Sequence, residues 1–151
     1  MGRQSFGLAS PAAWLRDAGH TVTCADLSRE RLPADAVKEA SIIGFFLPMH
    51  TATRLALPVI DRVRTLNPHA RIVAYGLYAP LNAGLLRERG VDDVLGGEFE
   101  QDLVDAAARG SGENEAAVNG CTTIDTTAAA LKGCATPASS LARLIFKTPA
   151  R

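Results

Sequence analysis

Two uninterrupted apolar runs, SIIGFFLP at residues 41–48 and ARIVAYGL at residues 70–77, place the tightest limit on what this chain can fold into. Runs this short and continuous are the pattern of strands covered on both faces, as in parallel sheets flanked by helices. Two weaker candidates accompany them: HTVTCADL at 20–27, which sets Val22 and Cys24 on one face, and VDDVLGG at 91–97. Pro48 and the glycines close these strands, because proline cannot donate to a ladder.

Helical patterns separate the runs. Ser10 is placed to cap a helix opening at Pro11, where the missing N–H costs nothing, and Gly19 supplies its left-handed stop. Pro33 opens a second helix that ends near Ala40. The longest covers residues 51–67, where Ala52, Leu55, Ala56, Val59, Ile60, Val63 and Leu66 form one apolar stripe that Pro58 should kink. Residues 81–89 form another that stops at Gly90, and residues 98–108 bury Phe99, Leu103 and Val104. Strict alternation with short loops predicts an α/β domain with a doubly wound parallel sheet and right-handed crossovers. Such a domain normally begins with a central strand. MGRQSFG reads instead as the loop that should follow one, so the usual first strand is expected to be missing.

Length and charge narrow the class. A chain of 151 residues, 47% of them hydrophobic, suits one domain that buries roughly 70% of its unfolded surface. Sixteen basic residues against 16 acidic ones leave no net charge, which speaks against a nucleic-acid partner. No stretch approaches the ~20 apolar residues of a membrane span, and no signal-peptide plan opens the chain, so no membrane partner is expected. Three cysteines, an odd number, make no disulfide framework and point to a cytoplasmic location. The composition turns Ala- and Thr-rich near residue 110, so residues 1–110 are read as the domain and residues 111–151 as a tail of undetermined structure.

In open parallel sheets, ligands bind beyond the carboxyl ends of the strands. Five segments therefore hold the candidates: residues 2–11, 26–28, 48–54, 76–82 and 96–100. In the first, Gly2 and Gly7 have phosphate-loop spacing, but Leu8-Ala9 stands where Lys-Ser/Thr is required. Gly7 either frees a turn or admits a ligand, since glycine serves both uses. The segment Pro48-Met49-His50-Thr51-Ala52-Thr53-Arg54 ends a buried strand and opens the long helix. There Thr51 is a candidate cap, and His50 is a surface residue or a weak candidate metal ligand. Tyr78, after Gly76 and Leu77, is a platform for a planar ligand or packs its own loop. Gly96 and Gly97 permit close backbone approach, and Glu98 with Glu100 complements a helix dipole. The three histidines lack ligand spacing, Cys24 reads as core, and Cys121 and Cys134 lack a C-x-x-C pairing.

Read together, GLASPAAWL, Asp26 after its strand, FFLPMHTATR, YGLYAP and GGEFE resemble the N-terminal cobalamin-binding domain of B12-dependent radical SAM proteins, over about residues 2–110. The resemblance implies a Rossmann-like, flavodoxin-type sheet that holds a corrinoid, cobalamin, over its strand ends. The residues it assigns to the cofactor are Gly7, Leu8, Ser10, Asp26, Pro48, Met49, His50, Thr51, Gly76, Leu77, Tyr78, Gly96, Gly97 and Glu98. The D-x-H-x-x-G loop that places a histidine under cobalt is absent, so a base-off, His-off mode is the implied one. The radical SAM cysteine motif Cys-x3-Cys-x2-Cys is absent as well. The expectation is a binding module without catalysis of its own, with a radical SAM domain or protein as its partner. Two other readings are a fragment of a methyltransferase-like radical SAM enzyme and a receiver-like interaction domain.

Overall fold

The computed structural model describes residues 5–116 and 142–147, with side chains for residues 5–109. It is a mixed α/β structure around a parallel sheet. In chain order the elements are α1 (Phe6–Asp17), β1 (Thr21–Asp26), α2 (Ala34–Glu39), β2 (Ala40–Phe46), α3 (His50–Leu66), β3 (Arg71–Tyr75), a 3-10 turn (Pro80–Asn82), α4 (Ala83–Glu88), β4 (Asp93–Leu95), α5 (Glu100–Ala116) and β5 (Ala142–Lys147). The strand order across the sheet is β1-β5-β2-β3-β4. The last of the described strands thus occupies an inner position, paired in parallel with β1 on one side and with β2 on the other. Residues read as a tail supply it, and α5 runs through the boundary set at residue 110.

Side chains alternate across a strand, so neighbouring residues of β2 and β3 feed different clusters. Ile43, Phe45, Ile72 and Ala74 join Val37 of α2, Ala56, Ile60 and Val63 of α3, and Leu86 of α4. Ile42, Val73 and Tyr75 join Leu8, Ala12 and Leu15 of α1 and Leu103, Ala106 and Ala107 of α5. β2 is buried along almost its whole length, which is what its continuous apolar run requires. Each fully buried Leu, Ile or Phe contributes about 1.5–3 kcal/mol.

Several local expectations are corrected. α1 begins at Phe6 with Ser5 as its N-cap, so Ser10 is not a cap and Pro11 lies inside the helix. The helix starts early because its apolar face, Leu8, Ala12 and Leu15, already includes Leu8. Pro11 is tolerated because the carbonyl it cannot serve, that of Gly7, accepts from the Tyr75 phenol at 2.8 Å. α3 runs from His50 to Leu66 with Pro58 inside it and is not interrupted there, and its N-cap is Met49, not Thr51. α5 starts at Glu100, two residues later than expected, so Glu98 precedes the helix. Cys24 lies on β1 as expected but is exposed and not core, because it lines an open cleft between β1 and α1.

Candidate functional site

The loops that follow β1, β2, β3 and β4 and the N-terminal ends of α1, α3 and α5 gather at the carboxyl end of the sheet. Main-chain hydrogen bonds hold the centre of this surface. Leu47 N–H donates to the Tyr75 carbonyl at 2.8 Å, and Tyr78 N–H donates to the Leu47 carbonyl at 3.1 Å. The loop after β2 is thereby locked to the loop after β3. Asn82 Nδ2 donates to the Tyr78 carbonyl at 2.8 Å and fixes the far side of the second loop.

Beneath the loops lies an aromatic floor. The ring centroids of Tyr75 and Phe99 are 4.8 Å apart, those of Phe46 and Tyr75 5.5 Å, and those of Phe46 and Phe99 6.3 Å. All three pairs are tilted, an arrangement that suits the ring quadrupoles. Burial pushes the Tyr75 phenol well above its ordinary pKa, with the charges of Cys24 and Glu100 acting in the same direction. The phenol is therefore a neutral donor to Gly7. Ser10 Oγ donates to Glu100 Oε1 at 2.9 Å and ties α1 to the first turn of α5.

The glycines divide by role. A Cβ on Gly7 would sit 2.2 Å from the Phe46 ring, and one on Gly96 2.4 Å from Pro80 Cγ. Both are needed for internal packing. Gly76, at φ +109°, faces the Leu47 carbonyl at 3.0 Å, so its conformation serves the turn. Gly97 has φ +67° and nothing within 4 Å of a Cβ, which leaves its backbone approachable.

Of the other assigned residues, Leu8 is buried in the core, while Asp26, Pro48 and Thr51 are half-buried. The Asp26 carboxylate accepts from Ser28 N–H at 3.1 Å and from Ser28 Oγ, and Asp26 N–H donates to Glu30 at 2.7 Å. Its side chain thus builds the turn after β1. His50 and Glu98 are exposed and Tyr78 is half-buried. The end of the sheet also carries uncovered apolar side chains: Phe6 is 78% exposed, Leu77 74%, Leu81 75% and Met49 41%. Sequence reasoning misses Phe6 and Leu81, the first because MGRQSFG reads only as a loop, the second because it falls in a segment read as a helix. Trp14 and Leu85, within α1 and α4, are exposed as well, at 47% and 39%.

Beside this surface, a cleft of about 330 Å³ lies between α1 and β1, lined by residues that include Leu8, Arg16, Cys24, Asp26, Arg29 and Glu30. The cleft walls partly desolvate the Cys24 thiol and push its pKa upward although the residue is open to solvent, and the neighbouring Arg16 guanidinium offsets this in part. Among the described residues, no group of three or more His, Cys, Asp or Glu could hold a metal ion. No helix among them is long and apolar enough to cross a membrane. No protein-family model, curated protein or solved structure matches the chain.

Proposed function

We propose that this chain is a cobalamin-binding module, without catalysis of its own, that seats a corrinoid on the carboxyl end of a doubly wound, Rossmann-like sheet. The observation that carries the reading is the exposure of Met49 and Leu77, two residues that the resemblance assigns to the cofactor, with Phe6 and Leu81 also exposed on segments at this end of the sheet. A corrinoid is broad and mostly apolar on its face, and its amide arms seek backbone partners. The exposed side chains suit the face, and the open backbone at Gly97 suits an arm. The strand order supports the flavodoxin-type assignment. With β5 in the place of a first strand, β1-β5-β2-β3-β4 corresponds to the order 2-1-3-4-5.

In this reading Gly7 and Gly96 act indirectly, by letting Phe46 and Pro80 pack beneath the seat. Asp26 shapes the loop on one side, and Pro48, Met49 and Thr51 form the other. When bound, the cofactor supplies cobalt-centred chemistry, and a radical SAM domain or protein would be its user. His50, exposed at the first position of α3, is not required as a lower ligand in the His-off mode. The test is direct: purified protein mixed with hydroxocobalamin should show a shifted visible spectrum and retain cobalt after desalting. A colourless protein would end this reading.

A further inference from the structure

The cleft between α1 and β1 changes in character from one end to the other. One wall is a strip of α1 formed by Leu8, Ala9, Ala12 and Arg16, whose spacing of three and four places them on a single helix face. At ~1.5 Å per residue this strip is about 12 Å long. The facing wall is Cys24 and Asp26 of β1, with Arg29 and Glu30 of the turn that follows.

Arg16 marks the end nearer the start of β1, since its Nη2 donates to the Val22 carbonyl at 3.0 Å, and it also contacts the Cys24 thiol. A guanidinium carries more donors than these two contacts use. The middle of the strip is low and apolar: Leu8 and Ala12 are buried, Ala9 is exposed, and the two alanines leave room above them. At the carboxyl end stand Asp26, Arg29 and Glu30. The Asp26 carboxylate accepts from Ser28, and Glu30 Oε1 accepts from Asp26 N–H at 2.7 Å. A carboxylate has about four lone-pair sites, so both side chains can accept further donors. Arg29 is exposed beside them, and its main-chain N–H donates to the Asp26 carbonyl at 2.9 Å.

Read along the cleft, the order is a guanidinium, an apolar wall, two carboxylates and a second guanidinium. That order matches a molecule with a flat ring, a diol and a phosphate. A ring rests on the wall with its polar edge toward Arg16, hydroxyls donate to carboxylates, and a phosphate pairs with a guanidinium. An aliphatic ligand would leave the charged groups unused, and a polyphosphate would meet Asp26 and Glu30 with like charge. The volume, about 330 Å³, lies at the lower end of the ~300–1,000 Å³ range of small-molecule sites.

We propose that the cleft between α1 and β1 is a mononucleotide site, with the base along Leu8, Ala9 and Ala12, the ribose at Asp26 and Glu30, and the phosphate at Arg29. The site does not depend on the corrinoid seat. Base, ribose and phosphate also make up the nucleotide arm of cobalamin, so that arm and a free mononucleotide are two sources of one chemistry.

Calorimetric titration of the full chain with adenosine monophosphate should show binding at or below about 100 μM. Adenosine and adenosine triphosphate should each bind at least about tenfold more weakly. Arg29→Ala should lower the affinity by about tenfold or more, and Ala9→Trp, at an exposed position, should abolish it, both with an unchanged urea midpoint. Occupancy should also slow alkylation of Cys24 by iodoacetamide, followed on its own peptide. Cobinamide, a corrinoid without the nucleotide arm, separates the sources. Retention of cobalamin above cobinamide, with the difference lost in Ala9→Trp, would assign the cleft to the arm. Equal retention of both, with adenosine monophosphate bound, would assign it to a free mononucleotide. If neither corrinoid binds, the corrinoid seat falls and the nucleotide titration still decides the cleft. Nucleotide binding that survives both substitutions, or no nucleotide binding together with equal behaviour of the two corrinoids, would overturn the proposal.

Discussion

The phenol of Tyr75 donates at 2.8 Å to the carbonyl of Gly7, to which Pro11, four residues further along α1, has no N–H to offer. A proline that breaks one helix bond is thereby matched by a tyrosine from the middle of the sheet. Removing the hydroxyl leaves a buried carbonyl unsatisfied, so Tyr75→Phe should cost about 1–3 kcal/mol. In a Pro11→Ala background the restored N–H can take the carbonyl, and the same substitution should cost about 1 kcal/mol less. Urea midpoints at unchanged slope would measure the difference, and equal costs in both backgrounds would refute the pairing.

The same phenol sets an alkaline limit. Its pKa in the folded chain lies well above the ordinary value, chiefly through burial. Below about pH 10 the phenol is neutral in both states and its contribution is complete. As the pH rises further, the unfolded chain gives up this proton while the folded chain keeps it, so stability falls. Urea unfolding followed from about pH 8 to about pH 12 should show this decline in the wild type and a flatter one in Tyr75→Phe.

Two glycines of the carboxyl end should respond differently to a methyl group. Gly7→Ala drives a Cβ into the Phe46 ring and should destabilise by about 1–3 kcal/mol, with partial recovery in Gly7→Ala/Phe46→Leu. Gly97→Ala meets open space and only the strain of its positive φ, about 1 kcal/mol. Thermal and chemical unfolding of the three variants would rank them.

Arg64 and Arg89 each face an aspartate, yet they should not be equivalent. Arg64 pairs with Asp92 at 2.9 Å and also donates to the carbonyls of Pro68, Ala70 and Gly90. Arg89 contacts Asp61 in an exposed pair. Arg64→Ala should therefore cost about 2–3 kcal/mol and Arg89→Ala less than about 1 kcal/mol. A comparable loss in both would show that the carbonyl contacts of Arg64 add nothing.

If the exposed apolar group seats a corrinoid, its loss should be felt in binding and not in folding. Leu77→Asp should lower hydroxocobalamin retention at least tenfold while leaving the unfolding midpoint within about 0.5 kcal/mol of the wild type. His50→Ala should leave the bound spectrum unchanged. A lost or shifted cobalt band in that variant would assign His50 as a ligand instead.

The strands of the sheet were legible wherever burial was two-sided. The run at 41–48 announced β2 and the run at 70–77 announced β3, because both faces of each are covered. Helix starts were less legible. Pro11 marks a first turn by local rules, and its place inside α1 depends on Tyr75, 64 residues away in the chain and visible only once folded. The glycines of the site behaved similarly. Gly96 reads in sequence as a point of close backbone approach and Gly7 as either that or a freed turn, whereas in the fold they answer to Pro80 and Phe46. β5 was hidden for a different reason: LARLIF at 141–146 is apolar, but its position depends on a gap between two other strands.

That gap has a consequence for how the chain is made. Synthesis runs from the N-terminus, so β1 and β2 leave the ribosome with the slot between them still open. Until residues 142–147 follow, both strands present unpaired edges, the feature that invites association between growing chains. Of the described strands the central one is thus made after its neighbours, and the most exposed moment comes just before it joins them.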